Sequence, residues 1–156
     1  PIKAYEMALS VVASRLLVMF LQIVILTAIG ILFFKVIFAW NILAIIIITL
    51  LGGTIFLLLG LWISSFAKTY ETAAPLTAGI GLPLTALGNI FFPIEKLPEA
   101  VQYIAKALPI TYLADAFRKV YLYPFAWHDI WINFAVLSGW LVVMLALVIW
   151  RFKLEE

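Results

Sequence analysis

Cysteine is absent from this chain of 156 residues. Its absence rules out disulfides and thiolate chemistry and says nothing of the compartment. Charge is scarce as well. Only 12% of residues are Asp, Glu, Lys or Arg, about half the fraction of an ordinary soluble domain. Ten basic and eight acidic residues leave a net charge of +2, so there is no polybasic field for nucleic acid. The one histidine, His128, has no second histidine or carboxylate cluster to make a catalytic or metal centre with. Lying between Trp127 and Asp129, it reads as an interfacial residue beside a helix N-cap at Asp129. No glycine is followed by lysine, so the Gly-x-x-x-x-Gly-Lys-Ser/Thr phosphate loop is missing and ATP is not bound by that device. No signal peptide is recognisable: the first apolar run is too long for one, and no small-x-small cleavage site follows it. The chain opens at Pro1 without methionine, which reads as a piece of a longer or processed protein.

What the chain does have is hydrophobicity, at 67% of residues. Apolar runs at about 16–34, 42–63, 73–92 and 130–149 approach or exceed the ~20 residues a helix needs to cross the hydrocarbon core. Lipid offers no water to backbone groups, so helix is the state these runs must take. A β-barrel would alternate apolar and polar residues, and 42–51 does not. The predicted fold is all-α and integral to the membrane, with four transmembrane helices. The less apolar stretch 1–14, with Lys3, Tyr5 and Glu6, reads as a short N-terminal interfacial helix.

Residues 35–41 form a short turn between the first two runs, and 64–72, with Lys68 and Glu71, joins the second to the third. Four spans place both ends on one side. Lys3, Arg15, Lys68, Arg151 and Lys153 fall on that side, and Lys35, Lys96, Lys106, Arg118 and Lys119 on the other. The second set lies mostly in the longer loop, where charge counts for less, which favours cytoplasmic ends. Trp40, Trp127 and Trp131 mark one interface, and Trp62 and Trp150 the other, while Trp140 falls mid-span and packs between helices.

The stretch 89–119 is neither a plain loop nor a span. It carries Phe91, Val101, Ile104, Leu108, Ile110, Leu113 and Phe117 beside Glu95, Lys96, Glu99, Lys106, Asp115, Arg118 and Lys119. Pro98 suits the first turn of a helix. Val101, Ile104, Ala105 and Leu108 then make an apolar face. Pro109 ends that helix, and a second restarts near Thr111, whose hydroxyl can cap it, and runs to about Tyr121. Helices of about a dozen residues cannot span a bilayer. The expected form of residues 93–123 is a re-entrant outer helical hairpin that dips into the outer leaflet and returns.

Polar and small residues inside the spans are few. Ala73, Thr77, Gly81, Thr85 and Asn89 recur every four residues along one face of the third run. They line either a substrate path or a close helix contact. Thr49, Gly53, Gly60 and Ser64 make a similar stripe on the second run, read as packing. Gln22 interrupts the first run and either lines a pathway or bonds a neighbouring helix. Asp115, Arg118 and Lys119 stand at i, i+3 and i+4, an intrahelical ion pair or a lock against a partner.

The order of motifs from Leu82 to Lys119 resembles the signature region of type-two ATP-binding-cassette export permeases, the family of daunorubicin-resistance and polysaccharide-export permeases. A span with Pro83 leads to Asn89-Ile-Phe-Phe-Pro93. Leu97-Pro98 opens a helix, and Leu108-Pro-Ile-Thr-Tyr-Leu-Ala-Asp-Ala-Phe-Arg118 follows. Ala67–Glu71 is similar to the family's short cytoplasmic turn, and Pro1–Glu6 to the end of the segment that docks on the ATPase. The resemblance implies a single permease domain over 1–156, the later four of six spans, in the cytoplasmic membrane with both ends of the chain cytoplasmic. It implies a partner ATPase that carries ATP and Mg, no cofactor in this chain, a second permease copy and membrane lipid around it. Lys3, Tyr5, Glu6, Lys68 and Glu71 become the expected ATPase contacts. Gln22, Thr77, Gly81, Thr85 and Asn89 become the expected substrate path, and Pro93, Pro98, Pro109, Tyr112, Asp115 and Arg118 the outer gate.

The expected function is the membrane-spanning part of an ATP-driven exporter of a hydrophobic drug, lipid or glycan, with no ATPase site of its own. An ion-coupled secondary transporter would need ionisable residues inside the spans, and an intramembrane enzyme would need a polar cluster at depth. The four runs contain no Asp, Glu, Lys, Arg or His. A structural or assembly subunit is the other alternative.

Overall fold

The computed structural model describes residues 4–35, 41–67, 69–91, 93–123 and 126–153. Among them are six α-helices and no strand: α1 (Ala4–Phe34), α2 (Ile42–Ser64), α3 (Tyr70–Leu87), α4 (Glu99–Ala107), α5 (Pro109–Leu122) and α6 (Trp127–Lys153). Three stretches are long and apolar enough to cross a membrane: Val12–Phe33, Ile42–Ser64 and Trp127–Arg151. Helix α3 is not among them. It has 18 residues, or about 27 Å at ~1.5 Å per residue, and it holds Glu71, Pro75 and Pro83.

The bundle is built around α2, which packs against α1, α3, α5 and α6. Being covered on several sides, α2 is apolar all round rather than on one stripe. Asn41 caps its start by accepting from the Ala44 N–H at 3.0 Å. The core has two layers. Ala44 and Ile48 of α2 meet Ala116 and Val120 of α5 and Ile130 of α6 in one. Ile55 and Leu58 meet Leu137 and Met144 in the other, with Tyr112, Leu113 and Trp140 against them. Arg151 ties the far end of α6 to the end of α2, donating to the Ser65 carbonyl at 3.3 Å and lying over the Phe66 ring.

Several boundaries differ from the sequence expectation, each for a local reason. No separate interfacial helix precedes the first span: α1 is continuous over 31 residues. The polar Ser14 does not break it, because its hydroxyl donates to the Ser10 carbonyl at 2.7 Å. The third run ends as helix at Leu87, not near Phe92. Asn89 takes a left-handed conformation with φ 57°, which asparagine tolerates better than most residues. At Gly88 an added Cβ would stand 2.6 Å from Ile110 Cγ2, so the chain passes α5 where only glycine fits. Helix α6 starts three residues before Ile130, so Asp129 lies in its first turn and is not its N-cap; the Asp129 N–H donates to the Ala126 carbonyl at 3.0 Å. Helix α5 starts at Pro109, ahead of the expected Thr111. Leu108, with ψ 139°, ends α4 and begins α5, the extended conformation that a following proline favours. The Thr111 hydroxyl does not cap α5. It donates back to the Ala105 carbonyl at 2.6 Å and ties the two helices together.

Candidate functional site: cavities between α2, α3 and α5

Helix α3 touches the bundle through α2 and α5 and leaves a cavity of about 340 Å³ between the three helices. Phe56, Leu59, Gly60 and Ile63 of α2 line it, with Thr77, Ile80, Gly81, Leu84 and Thr85 of α3 and Ile110, Leu113, Ala114 and Phe117 of α5. The four-residue spacing of Thr77, Gly81 and Thr85 on α3 brings all three to this one space. The two hydroxyls face little unmet demand, since Thr77 donates to Ala73 O at 2.9 Å and Thr85 to Gly81 O at 2.8 Å. The lining is therefore apolar in character. A Cβ at Gly81 or Gly60 would meet nothing within 4 Å. Neither glycine is needed for a helix contact, and both leave the cavity open.

Gly52 and Gly53 behave differently. A Cβ at Gly52 would collide with Leu113 of α5, and one at Gly53 would lie 3.0 Å from Leu16 of α1. Small residues on α2 thus serve two purposes: Gly52 and Gly53 admit neighbouring helices, and Gly60 borders the cavity.

A second cavity of about 310 Å³ adjoins the first at Ile90, which lines both. Asn89, Phe91, Pro93, Glu95 and Arg118 complete its walls. Arg118 donates from Nη2 to the Asn89 carbonyl at 2.9 Å, holding the irregular end of α3 against α5. Pro93 opens a short 3-10 turn, Ile94–Lys96. Pro98 precedes α4 and leaves its first N–H groups to bond backwards.

Asp115 does not share Arg118 as its partner. Its carboxylate pairs with Lys119 at 2.7 Å and accepts from Asn133 Nδ2 at 2.9 Å. The same Nδ2 group donates to the Tyr112 carbonyl at 2.9 Å, and Lys119 reaches Asn133 Oδ1 at 3.3 Å and the Asp129 carbonyl at 3.1 Å. Asn133 is only 2% exposed. The sequence reasoning passed over it, although it is a lone amide in an apolar run, four residues after Asp129. Deeper on α6, Trp140 donates from Nε1 to the Ala107 carbonyl at 3.1 Å, satisfying the end of α4. On the other flank, the Thr27 and Tyr121 hydroxyls share a 3.1 Å hydrogen bond between α1 and α5.

The expected site residues therefore divide. Thr77, Gly81 and Thr85 come together on one cavity, and Asn89, Pro93 and Arg118 on the next. Tyr112 and Asp115 hold α5 to α6, and Pro109 is buried at the start of α5. Gln22 is exposed on α1 and borders neither cavity. Glu71 is exposed in the first turn of α3. Lys3, Lys68 and Trp40 lie outside the described residues, as do the side chains of Tyr5 and Glu6.

The model of one family, described as ABC-2 type transporter, matches residues 1–122. The chain belongs to the ABC-2 type transporter family. It is a multi-pass membrane protein of the transport-permease type, its apolar helices agreeing with that membership. Among curated proteins it is similar to the inner membrane transport permease YadH of Escherichia coli K12, with 33% identity over 72 residues. The same permease of Escherichia coli O157:H7 and of Shigella flexneri is similar to the same extent. The match covers 46% of this chain and 28% of each relative, so the chain spans less than two thirds of the length of those permeases. No solved structure matches it.

Proposed function

We propose that this ABC-2 chain forms the later four spans of an exporter permease in the inner membrane. It works as a dimer, moving a hydrophobic drug, lipid or glycan outward. ATP, bound with Mg, is hydrolysed on a partner ATPase, and this chain supplies the path. The observation that carries the reading is the apolar cavity on which Thr77, Gly81 and Thr85 converge with Gly60. It lies between a well-packed helix, α2, and a loosely held one, α3, so α3 can shift without dismantling the core.

Helix α3 serves as the third of the four spans in this reading, short but continued by 88–91. Its internal prolines are tolerated because neighbouring helices and Thr side chains take up freed backbone groups. Helices α4 and α5 form the re-entrant outer gate. Supporting this, Ala107 at the end of α4 meets Trp140, which lies thirteen residues into α6, about 20 Å along its axis at ~1.5 Å per residue. From there α5 returns past Asn133 toward the start of α6. Both ends of the chain face the cytoplasm, where Lys3, Tyr5, Glu6, Lys68 and Glu71 meet the ATPase.

Gly81→Leu in the full-length permease tests the path. The new side chain enters free space, so the complex still assembles with its ATPase while export of hydrophobic dyes from cells is lost. Loss of assembly, or unchanged export, overturns the reading. Cysteines at positions 5 and 6 should cross-link to the ATPase; free labelling without cross-links in an intact complex would sink that contact.

A further inference from the structure

We infer that the two adjoining cavities form one site for an anionic amphiphile, with the apolar cavity holding the hydrophobic body and Arg118 holding a phosphate or carboxylate head. The inference rests on the transport reading above and adds the chemical class of what is carried. The two spaces differ sharply in chemistry while sharing a wall at Ile90. The inner one offers Leu59, Ile80, Leu84, Leu113 and Phe117, and the Thr77 and Thr85 hydroxyls there are already committed to their own helix. The outer one offers a guanidinium, a carboxylate and an irregular backbone segment. A purely apolar molecule would leave the outer space unused, and a small ion would leave the inner one unused.

The charge balance names the head. Arginine carries five N–H donors and stays protonated. Arg118 gives one N–H to the Asn89 carbonyl. Asp115, one turn away, is engaged by Lys119 and Asn133 instead. Among the described residues no carboxylate forms an ion pair with Arg118. Asp115 attracts Arg118 across one helical turn without bonding it, so the guanidinium keeps N–H donors free, and its planar fork suits the two oxygens of a phosphate or carboxylate. Glu95 lines the same cavity from an exposed position. Its negative charge repels a second anionic group, which favours a singly charged head over a dianion.

The test uses the full-length permease with its ATPase in phosphatidylcholine nanodiscs, without nucleotide. Two photoreactive probes with the same twelve-carbon chain are compared, a dodecyl methyl phosphodiester and a neutral dodecyl glucoside, and labelled peptides are read by mass spectrometry. The phosphodiester should label the α3 and α5 peptides roughly ten-fold more, the scale of one charge-assisted hydrogen-bond pair. Arg118→Gln removes the charge and should erase that difference, and Arg118→Lys should restore part of it. Equal labelling by the two probes, or labelling indifferent to Arg118→Gln, overturns the inference. So does full displacement by inorganic phosphate at the probe's own concentration, because the hydrophobic body would then contribute nothing. Should Arg118→Gln fail to fold, Glu95→Gln at its exposed position decides: phosphodiester labelling rises if the head sits there, and no rise overturns the placement. Phosphatidylglycerol added to the disc separates the sources. Competition identifies a bilayer lipid as the occupant, and no competition identifies another amphiphile of the same chemistry. Because the readout needs neither ATP nor transport, a permease that fails to export can still pass it. One that exports only neutral molecules fails it while leaving the transport reading intact.

Discussion

Replacing Asn133 with alanine should loosen α5 from α6 without leaving a charge alone. The amide donates to the Tyr112 carbonyl and to Asp115 Oδ2, both at 2.9 Å, and accepts from Lys119 at 3.3 Å. After the substitution Asp115 keeps Lys119 at 2.7 Å, and the Tyr112 carbonyl keeps its helical partner. The loss is therefore that of the amide's own bonds and of a small void. Side-chain bonds between membrane helices are worth on average ~0.6 and at most ~1.7 kcal/mol, and one of these two ends on a carboxylate, at the stronger end of the range. A destabilisation of about 2 kcal/mol is expected. At ~2–4 °C per kcal/mol for a chain of this size, the melting midpoint should fall by about 4–8 °C. Thermal scanning by fluorescence-detected size exclusion in detergent reads this directly. The single Asp115→Ala variant and the double variant complete a cycle whose coupling should be about 1 kcal/mol. A midpoint within about a degree of the parent, or strictly additive losses, would refute the claim that this amide joins the two helices.

Gly52→Ala places a methyl group against Leu113, an overpacking expected to destabilise by ~1–3 kcal/mol; Leu113→Ala loses core packing of its own, so the double variant should lose less than the sum of the two, and strict additivity would show that the contact is not limiting. Single cysteines placed in an otherwise cysteine-free permease report depth. Glu99→Cys should react with a membrane-impermeant maleimide from outside intact cells, whereas Ala107→Cys, beside Trp140, should react far more slowly. Equal rates, or labelling of position 99 only in everted vesicles, would rule out the re-entrant outer arrangement.

Much of the fold was legible in the order of residues because the bilayer constrains a chain so strongly. A run such as 42–63 has no polar partner for its backbone outside itself, so helix follows from composition, and its ends from Asn41 and the serines after Ile63. The proline-cut segment was legible for the same kind of local reason: proline disfavours the helical region for the residue before it, and Leu108 before Pro109 leaves it, although Pro75 and Pro83 are carried inside α3. The start of α5 was misplaced by two residues, because Thr111 is a good N-cap by type. Its hydroxyl found the Ala105 carbonyl instead, a partner available only once α4 and α5 meet. The end of α3 was overrun for a similar reason. Asn89 is one more step of a four-residue stripe by spacing, and its contacts with α5, Arg118 on its carbonyl twenty-nine residues away in sequence and Ile110 against Gly88, form only in the folded chain.

By itself, then, the sequence determined the solvent this protein lives in, its helical state, and the break at Pro109, since each depends mainly on the residue and its immediate neighbours. The tertiary structure decided which small and polar residues share a space. Gly52, Gly53 and Gly60 lie within three turns of one helix, yet one receives α5, one receives α1 and one opens onto a cavity. Asp115 and Arg118 lie one turn apart, yet one makes its contact pair with Lys119 and the other lines an open cavity. Spacing places residues on a face; what that face meets depends on chain hundreds of atoms away, because packing and charge pairing are contacts between elements, not properties of either alone.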